Sequence, residues 1–314
     1  MIDTMNIYLP IKEGGGVDFL EETPTYLSPD SLGEWSKGGH YGVTGWVDNL
    51  KVSITERGAR VENSLCKYAL GDNFQTLTRK AIQEAFERLA DTLHLPLWRA
   101  YVSRIDVGTN IILRHPVDVY LNHLGRWRGI AGGRQASTLY YHTKGNGKTL
   151  CFYDKEREQK KKGEAIPELY SGRNVLRYEA RYSKRLPALF KVKELRAETL
   201  YNETFYTALL DRWRDDYLAI DKINDVIPNF DIMKGKKELY KAGVITLAES
   251  YGGKVEFLTH IDEARKRGEL ERKQAHDLRQ AVNEAYSLTG GLTVANEDME
   301  ELTKKVKEAV RYHR

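Results

Sequence analysis

The chain has 314 residues, 41% hydrophobic and 30% charged, with a formal net charge of +4. That excludes a disordered chain and leaves room for one large or two ordinary globular domains. No run approaches the roughly 18 to 20 apolar residues of a membrane span. The N-terminus lacks the basic stretch and apolar core of a secretory signal, so a cytoplasmic protein is expected, with no membrane partner. Cys66 and Cys151 make neither a disulfide framework nor a metal-ligand spacing.

Met5 to Ile11 reads as a first strand, and Gly14-Gly15-Gly16 as a flexible connection. From His40 to Leu70, short alternating runs broken by Gly42, Gly45, Asn49 and Gly58 predict several antiparallel strands. The period then changes: Ala81, Ile82, Ala85, Phe86, Leu89, Ala90 and Leu93 recur at helical spacing, and Pro96 marks the end. Tyr101 to Leu113 returns to a strand, and Pro116 opens a second helix through Leu124. Thr138 to Thr143 and Lys148 to Tyr153 read as hairpin arms, with Asn146-Gly147 supplying the positive φ angles of the turn. Gly145 to Thr149 looks like the end of a P-loop, but its first glycine would fall at His142 and a strand follows.

Asp154 to Gly163 is a charged helix start or loop, and Val175 to Tyr182 is a strand. Beyond Leu186-Pro187 the pattern is helical. Tyr201, Phe205, Leu209, Trp213 and Tyr217 form a packing stripe, and helices are predicted at Lys236 to Ser250, Val255 to Arg267, Arg272 to Leu288 and Asn296 to Tyr312. Gly252-Gly253, Gly268 and Gly290-Gly291 punctuate them. The expected fold is α+β: an antiparallel-sheet domain with flanking helices over 1–190, then a helical region over 191–314 that binds DNA or oligomerises.

Three strands carry the chemistry. Alternation puts Arg177, Glu179 and Arg181 on one face and Leu176, Tyr178 and Ala180 on the other. Arg104-Ile105-Asp106-Val107 and Cys151-Phe152-Tyr153-Asp154-Lys155 repeat the habit. If the polar faces coincide, two carboxylates, a tyrosine, a lysine and arginines converge. Acids flanked by aliphatic strand residues must be neutralised, by arginines or by a hard divalent cation such as Mg²⁺ or Mn²⁺. Tyr153 and Lys155 share a face in a strand reading, and a cation nearby would help form the phenolate. Tyr140, Tyr141, Tyr170, Tyr178 and Tyr182 compete with Tyr153. No two histidines are separated by a single residue; His142 is either an additional ligand or a partly exposed strand residue. Basic residues crowd the stretch from Lys144 to Arg196, as suits a polyanion.

At these residues the chain resembles the phage and plasmid replication initiators of the filamentous-phage gene II/X type, which are related to rolling-circle plasmid initiators. The resemblance lies in Met1-Ile2-Asp3 through Leu9-Pro10 and in Lys67 to Asn73 with its Gly-x-Asn turn. It continues in Ser103-Arg104-Ile105-Asp106, in Thr149-Leu150 with Tyr153 and Lys155, and in Arg177-Tyr178-Glu179-Ala180-Arg181. It implies a rolling-circle initiator that nicks origin DNA and transfers the strand through a 5′-phosphotyrosine. Tyr153 falls at the nucleophile, with Lys155 two residues on and Tyr182 as its rival. Asp106 and Glu179 would hold Mg²⁺ or Mn²⁺. Arg104, Lys148, Arg177, Arg181 and Lys184 are candidates for phosphate contacts. Single-stranded or hairpin origin DNA and host replication proteins would be the partners. A conjugative relaxase, a metal-dependent hydrolytic nuclease and a non-catalytic DNA-binding regulator remain as alternatives.

Overall fold

Burial alternates along the first strand, β1 (Ile2–Pro10): Met5, Ile7 and Leu9 are buried, while Asn6 and Tyr8 are partly exposed. The rest of the sheet repeats this division between faces. A computed structural model describes residues 1–226, 230–231, 233–288, 293–294 and 296–314. After β1 come β2 (Gly33–Lys37), β3 (His40–Val47), β4 (Leu50–Thr55), β5 (Gly58–Ser64), α1 (Leu65–Leu70), α2 (Arg79–Leu93) and β6 (Tyr101–Leu113). Next are α3 (Val117–Asn122), β7 (Leu124–Trp127), β8 (Gly133–Gln135), β9 (Thr138–His142), β10 (Lys148–Asp154), α4 (Lys155–Lys162) and β11 (Asn174–Tyr182). The remainder is α5 (Leu186–Phe190), α6 (Glu203–Leu218), β12 (Ile220–Lys222), β13 (Asp225–Val226), α7 (Lys236–Ser250), α8 (Lys254–Lys266), α9 (Arg272–Ala285), β14 (Thr293–Val294) and α10 (Glu297–His313). The protein is α+β.

By its contacts the chain divides into a first unit of Met1–Ile112, Gly133–Tyr217 and Val306–Arg314, and a second of Leu113–Gly132 and Leu218–Lys305. Residues 191–217, beyond the expected boundary at 190, belong to the first. That unit holds an antiparallel ten-stranded sheet in the order β2-β3-β4-β5-β1-β6-β11-β10-β9-β8. Its apolar face packs on helices. Phe152 of β10 stacks on Tyr178 of β11 with centroids 4.4 Å apart, and Tyr178 stacks on Trp213 of α6 at 4.5 Å. Leu209, Trp213 and Tyr217 are buried, as the packing stripe requires. In the second unit β7 pairs with β12, β13 with β14, and α7, α8 and α9 share two small cores around Ile245 with Ala285 and Ile261 with Val282.

Some local readings differ. Leu65 to Leu70 is a helix, because the Ser64 side chain accepts from the Lys67 N–H and Gly71 ends the turn at φ 83°. α2 ends at His94, itself left-handed at φ 53°, before Pro96 is reached. In the β9–β10 connection the positive φ belongs to Gly145 (78°), while Gly147 sits at −74° in a 3₁₀-type turn. The region after Leu186 is not helical throughout, since β12, β13 and β14 occur there. Gly290-Gly291 lies outside the described residues.

Candidate active site

Register brings the three charged strands together. β6 lies between β1 and β11, and β11 pairs with β10 so that Glu179 is opposite Cys151, Arg177 opposite Tyr153 and Arg181 opposite Thr149. β10 in turn sets Tyr153 opposite Thr138 and Cys151 opposite Tyr140 of β9. With a side-chain period of two, these residues share one face. Gly108 permits the close approach of β6 to β11, since a Cβ there would lie 2.7 Å from the Tyr178 carbonyl and 2.8 Å from Glu179 Cγ. A cleft of about 510 Å³ opens on this face, lined by Asp3, Asp106, Glu179, Arg104, Arg181, Tyr153 and Tyr140 among others.

The acids are embedded in guanidinium groups. Arg104 grips Asp106 with two bonds, Nε to Oδ1 at 2.9 Å and Nη2 to Oδ2 at 2.6 Å. Arg181 does the same to Glu179 Oε2, with Nη2 at 2.7 Å and Nε at 3.0 Å, and its Nε lies 3.9 Å from Asp106 Oδ2. Arg177 donates to Glu179 Oε1 at 2.6 Å and on its other side to Asp3. The Tyr153 hydroxyl completes the shell of Glu179, donating to Oε1 at 2.9 Å. Burial would push Glu179 up, but Arg177 and Arg181 together hold it well below the usual carboxylate range. Asp106 has less compensation: burial raises it to about 6 against the pull of Arg104. Tyr153 is pushed well above its ordinary value, by burial first and then by the charge of Glu179.

Residues 1–203 match the family model for the N-terminal region of the phage gene II replication-associated protein. The chain belongs to this family. The matched span contains every residue named so far in the cleft and stops at the first residue of α6. It is therefore a replication-associated protein of the filamentous-phage gene II type, as its short motifs suggest. No curated protein matches the chain.

Within the family region, the expected site residues divide by position. Asp106, Glu179, Tyr153, Arg104 and Arg181 line the cleft. Arg177 lies beneath it, 1% exposed, with its donors also on the Asn73 carbonyl (2.9 Å) and Asn110 Oδ1 (3.3 Å), so as placed it braces the acids and does not reach a phosphate. Lys155 does not continue the strand. It is the first residue of α4, buried, donating to Glu158 Oε2 at 2.8 Å and Gln159 Oε1 at 3.4 Å. Burial lowers its pKa. The intervening Asp154 caps α4 by accepting from the Arg157 N–H at 2.9 Å. Lys148 and Tyr182 lie on the apolar face, where Lys148 pairs with Asp216 and the Tyr182 hydroxyl donates to Asp216 Oδ2 at 3.3 Å. Lys184 holds the Gly145 carbonyl at 2.7 Å, and His142 stacks on Tyr140 with its Nδ1 3.0 Å from Thr149 Oγ1. Neither lines the cleft.

Asp3 is a cleft residue to which the sequence pattern assigned no chemical role, and of the tyrosines competing with Tyr153 it is Tyr140 that lines the cleft. Asp3 is buried and takes hydrogen bonds from Ser64 Oγ at 2.5 Å, Asn73 Nδ2 at 3.3 Å and Arg177. The expected first strand began at Met5 and left Asp3 outside it; β1 begins at Ile2, and an acid buried in that strand faces the same burial cost as Asp106. Among the described residues no group of three or more His, Cys, Asp or Glu is placed to hold a metal. Two carboxylates, Asp106 and Glu179, do suit Mg²⁺, which commonly binds through one or two carboxylates plus water and substrate phosphate. A cation there would take the place of donors that Arg104 and Arg181 now supply to the two carboxylates.

Proposed function

We propose that this protein is a rolling-circle replication initiator that nicks one DNA strand and holds its 5′ end on Tyr153. The observation carrying this reading is the Tyr153 hydroxyl, hydrogen-bonded to Glu179 in a cleft rimmed by Arg104 and Arg181. These two arginines are 37% and 31% exposed in their side chains, so an incoming phosphate competes directly for their donors. In the step proposed, Tyr153 Oη forms a bond to phosphorus and the bond to the 3′-oxygen breaks. The phenolic proton leaves through the hydrogen bond to Glu179, and the departing 3′-oxygen takes up a proton from solvent. The phosphodiester is conserved as a phosphotyrosine ester, so a later attack by a 3′-hydroxyl can rejoin the strand. Asp106 and Glu179 are the residues that would hold Mg²⁺ or Mn²⁺, which when bound supplies charge stabilisation to the phosphoryl oxygens. Burial and the charge of Glu179 disfavour the phenolate of Tyr153, so the proposed attack needs added positive charge beside it.

A non-catalytic DNA-binding role has one observation in its favour: Asp3, Asp106 and Glu179 are all paired with arginines. The two readings separate in one assay. The protein is incubated with end-labelled, single-stranded, origin-like hairpin DNA and Mn²⁺, and a protein–DNA adduct is sought on a denaturing gel. An adduct is expected in the parent, in Tyr182→Phe and in Tyr140→Phe, and none in Tyr153→Phe. Adduct surviving Tyr153→Phe rejects the nucleophile. Cleavage without any adduct assigns water as nucleophile, and binding without cleavage rejects catalysis.

A further inference from the structure

The second unit carries a groove of a different character between α7 and α9, with a volume of about 420 Å³. Its floor is apolar, built from Val244, Ala281 and Ala285, and Tyr240 stands beside it with 66% of its surface exposed. Lys236, Lys237 and Lys241 surround this floor, against a single acid, Glu284, that is engaged by Gln280 at 2.8 Å. The three lysines follow from helical spacing: residues 236, 237, 240, 241 and 244 fall on one side of α7. Lys236 lies 5.6 Å from the Tyr240 ring centroid. Among the described residues, none of the three lysines makes an ion pair.

We infer that this groove binds single-stranded DNA, with an unpaired base against Tyr240 and its flanking phosphates on Lys236, Lys237 and Lys241. The charge excess selects a polyanion. The apolar floor selects one whose bases are unstacked, because a duplex presents phosphates and groove edges and keeps its base faces inside. A displaced single strand is what the proposed nicking would generate. The inference rests on that reading only in naming DNA as the ligand.

The test uses the full chain, a labelled oligothymidylate and a duplex of the same length, with binding read by fluorescence anisotropy across a salt series. Tyr240→Ala is expected to weaken single-strand binding about tenfold, as for loss of one stacked base. Lys237→Glu with Lys241→Glu is expected to weaken it further and to flatten the log–log salt dependence by roughly 1.4, two contacts at about 0.7 each. Lys237→Arg with Lys241→Arg should retain the parent affinity. An unchanged single-strand affinity in Tyr240→Ala overturns the inference, and so does an equal proportional loss on the duplex. A shift in sedimentation with no change in DNA affinity also overturns it, assigning the groove to a protein partner. Nicking is scored separately in the same preparations. Failure of nicking with a groove-dependent loss of affinity leaves the groove standing; normal nicking with no loss of affinity removes the groove alone.

Discussion

Asp106 is 3% exposed, and burial, only partly offset by Arg104, pushes its pKa up to about 6. Its ordinary value is 3.8, so between about 4 and 6 the native state keeps a proton that the unfolded chain has released. Native stability attributable to this residue therefore falls as pH rises through that window and is level above it. Asp106→Asn cannot titrate. Relative to the parent, its stability should rise by on the order of 3 kcal/mol between pH 4 and pH 7, which urea denaturation at four pH values would measure. A constant difference across that range contradicts the burial argument. The location of this acid is legible in sequence, since a carboxylate between Ile105 and Val107 must be neutralised. Its neutralising partner is not: alternation gives the face of a strand, whereas the choice among guanidinium, cation and water depends on what neighbouring strands bring. Arg177 shows the same limit, as its place between Asp3 and Glu179 depends on β6 lying beside β11 and β1 beside β6.

At the scale of elements, the junction of β10 and α4 decides how Tyr153-Asp154-Lys155 is to be understood. Period-two alternation places Tyr153 and Lys155 together, but Asp154 ends the strand by capping the helix, and Lys155 turns inward to Glu158. The capping signal was present in the sequence as an aspartate ahead of a Lys/Glu-rich run, and Gly163 closes the helix at φ 66°. Asp154→Asn preserves an N-cap acceptor and should leave both stability and adduct formation near parent levels. Asp154→Ala should cost about 1 kcal/mol. Denaturation midpoints and the adduct assay measure the pair together. If Asp154→Asn abolishes adduct at unchanged stability, Asp154 has a chemical role and the capping account is insufficient. The hairpin before β10 illustrates a harder case, because Asn146-Gly147 is a strong two-residue turn signal and yet Gly145 takes the positive φ in a longer connection.

For the whole molecule, composition changes along the sequence do not coincide with the way the chain packs. A boundary at 190 follows the shift from strand to helix patterning, yet Tyr206, Leu209, Trp213 and Tyr217 on α6 are buried in the first unit, and Trp213 covers Tyr178. The sheet face behind the cleft is thus completed by residues beyond 203, where the family match ends. Burial of such a side chain contributes about 1.5–3 kcal/mol, so these four supply roughly 6–12 kcal/mol. Folded domains are stable by only about 5–15 kcal/mol. A chain cut after residue 190 therefore forfeits an amount comparable to its whole stability and exposes Phe152 and Tyr178. It should be recovered as aggregate or show no cooperative thermal transition. The full chain carrying Trp213→Ala should remain folded but be destabilised by about 3–5 kcal/mol. Thermal unfolding followed by circular dichroism checks both. A cooperative transition in the 1–190 chain at the parent temperature would mean that α6 is dispensable to the sheet, and that the cleft is supported by its own strands alone.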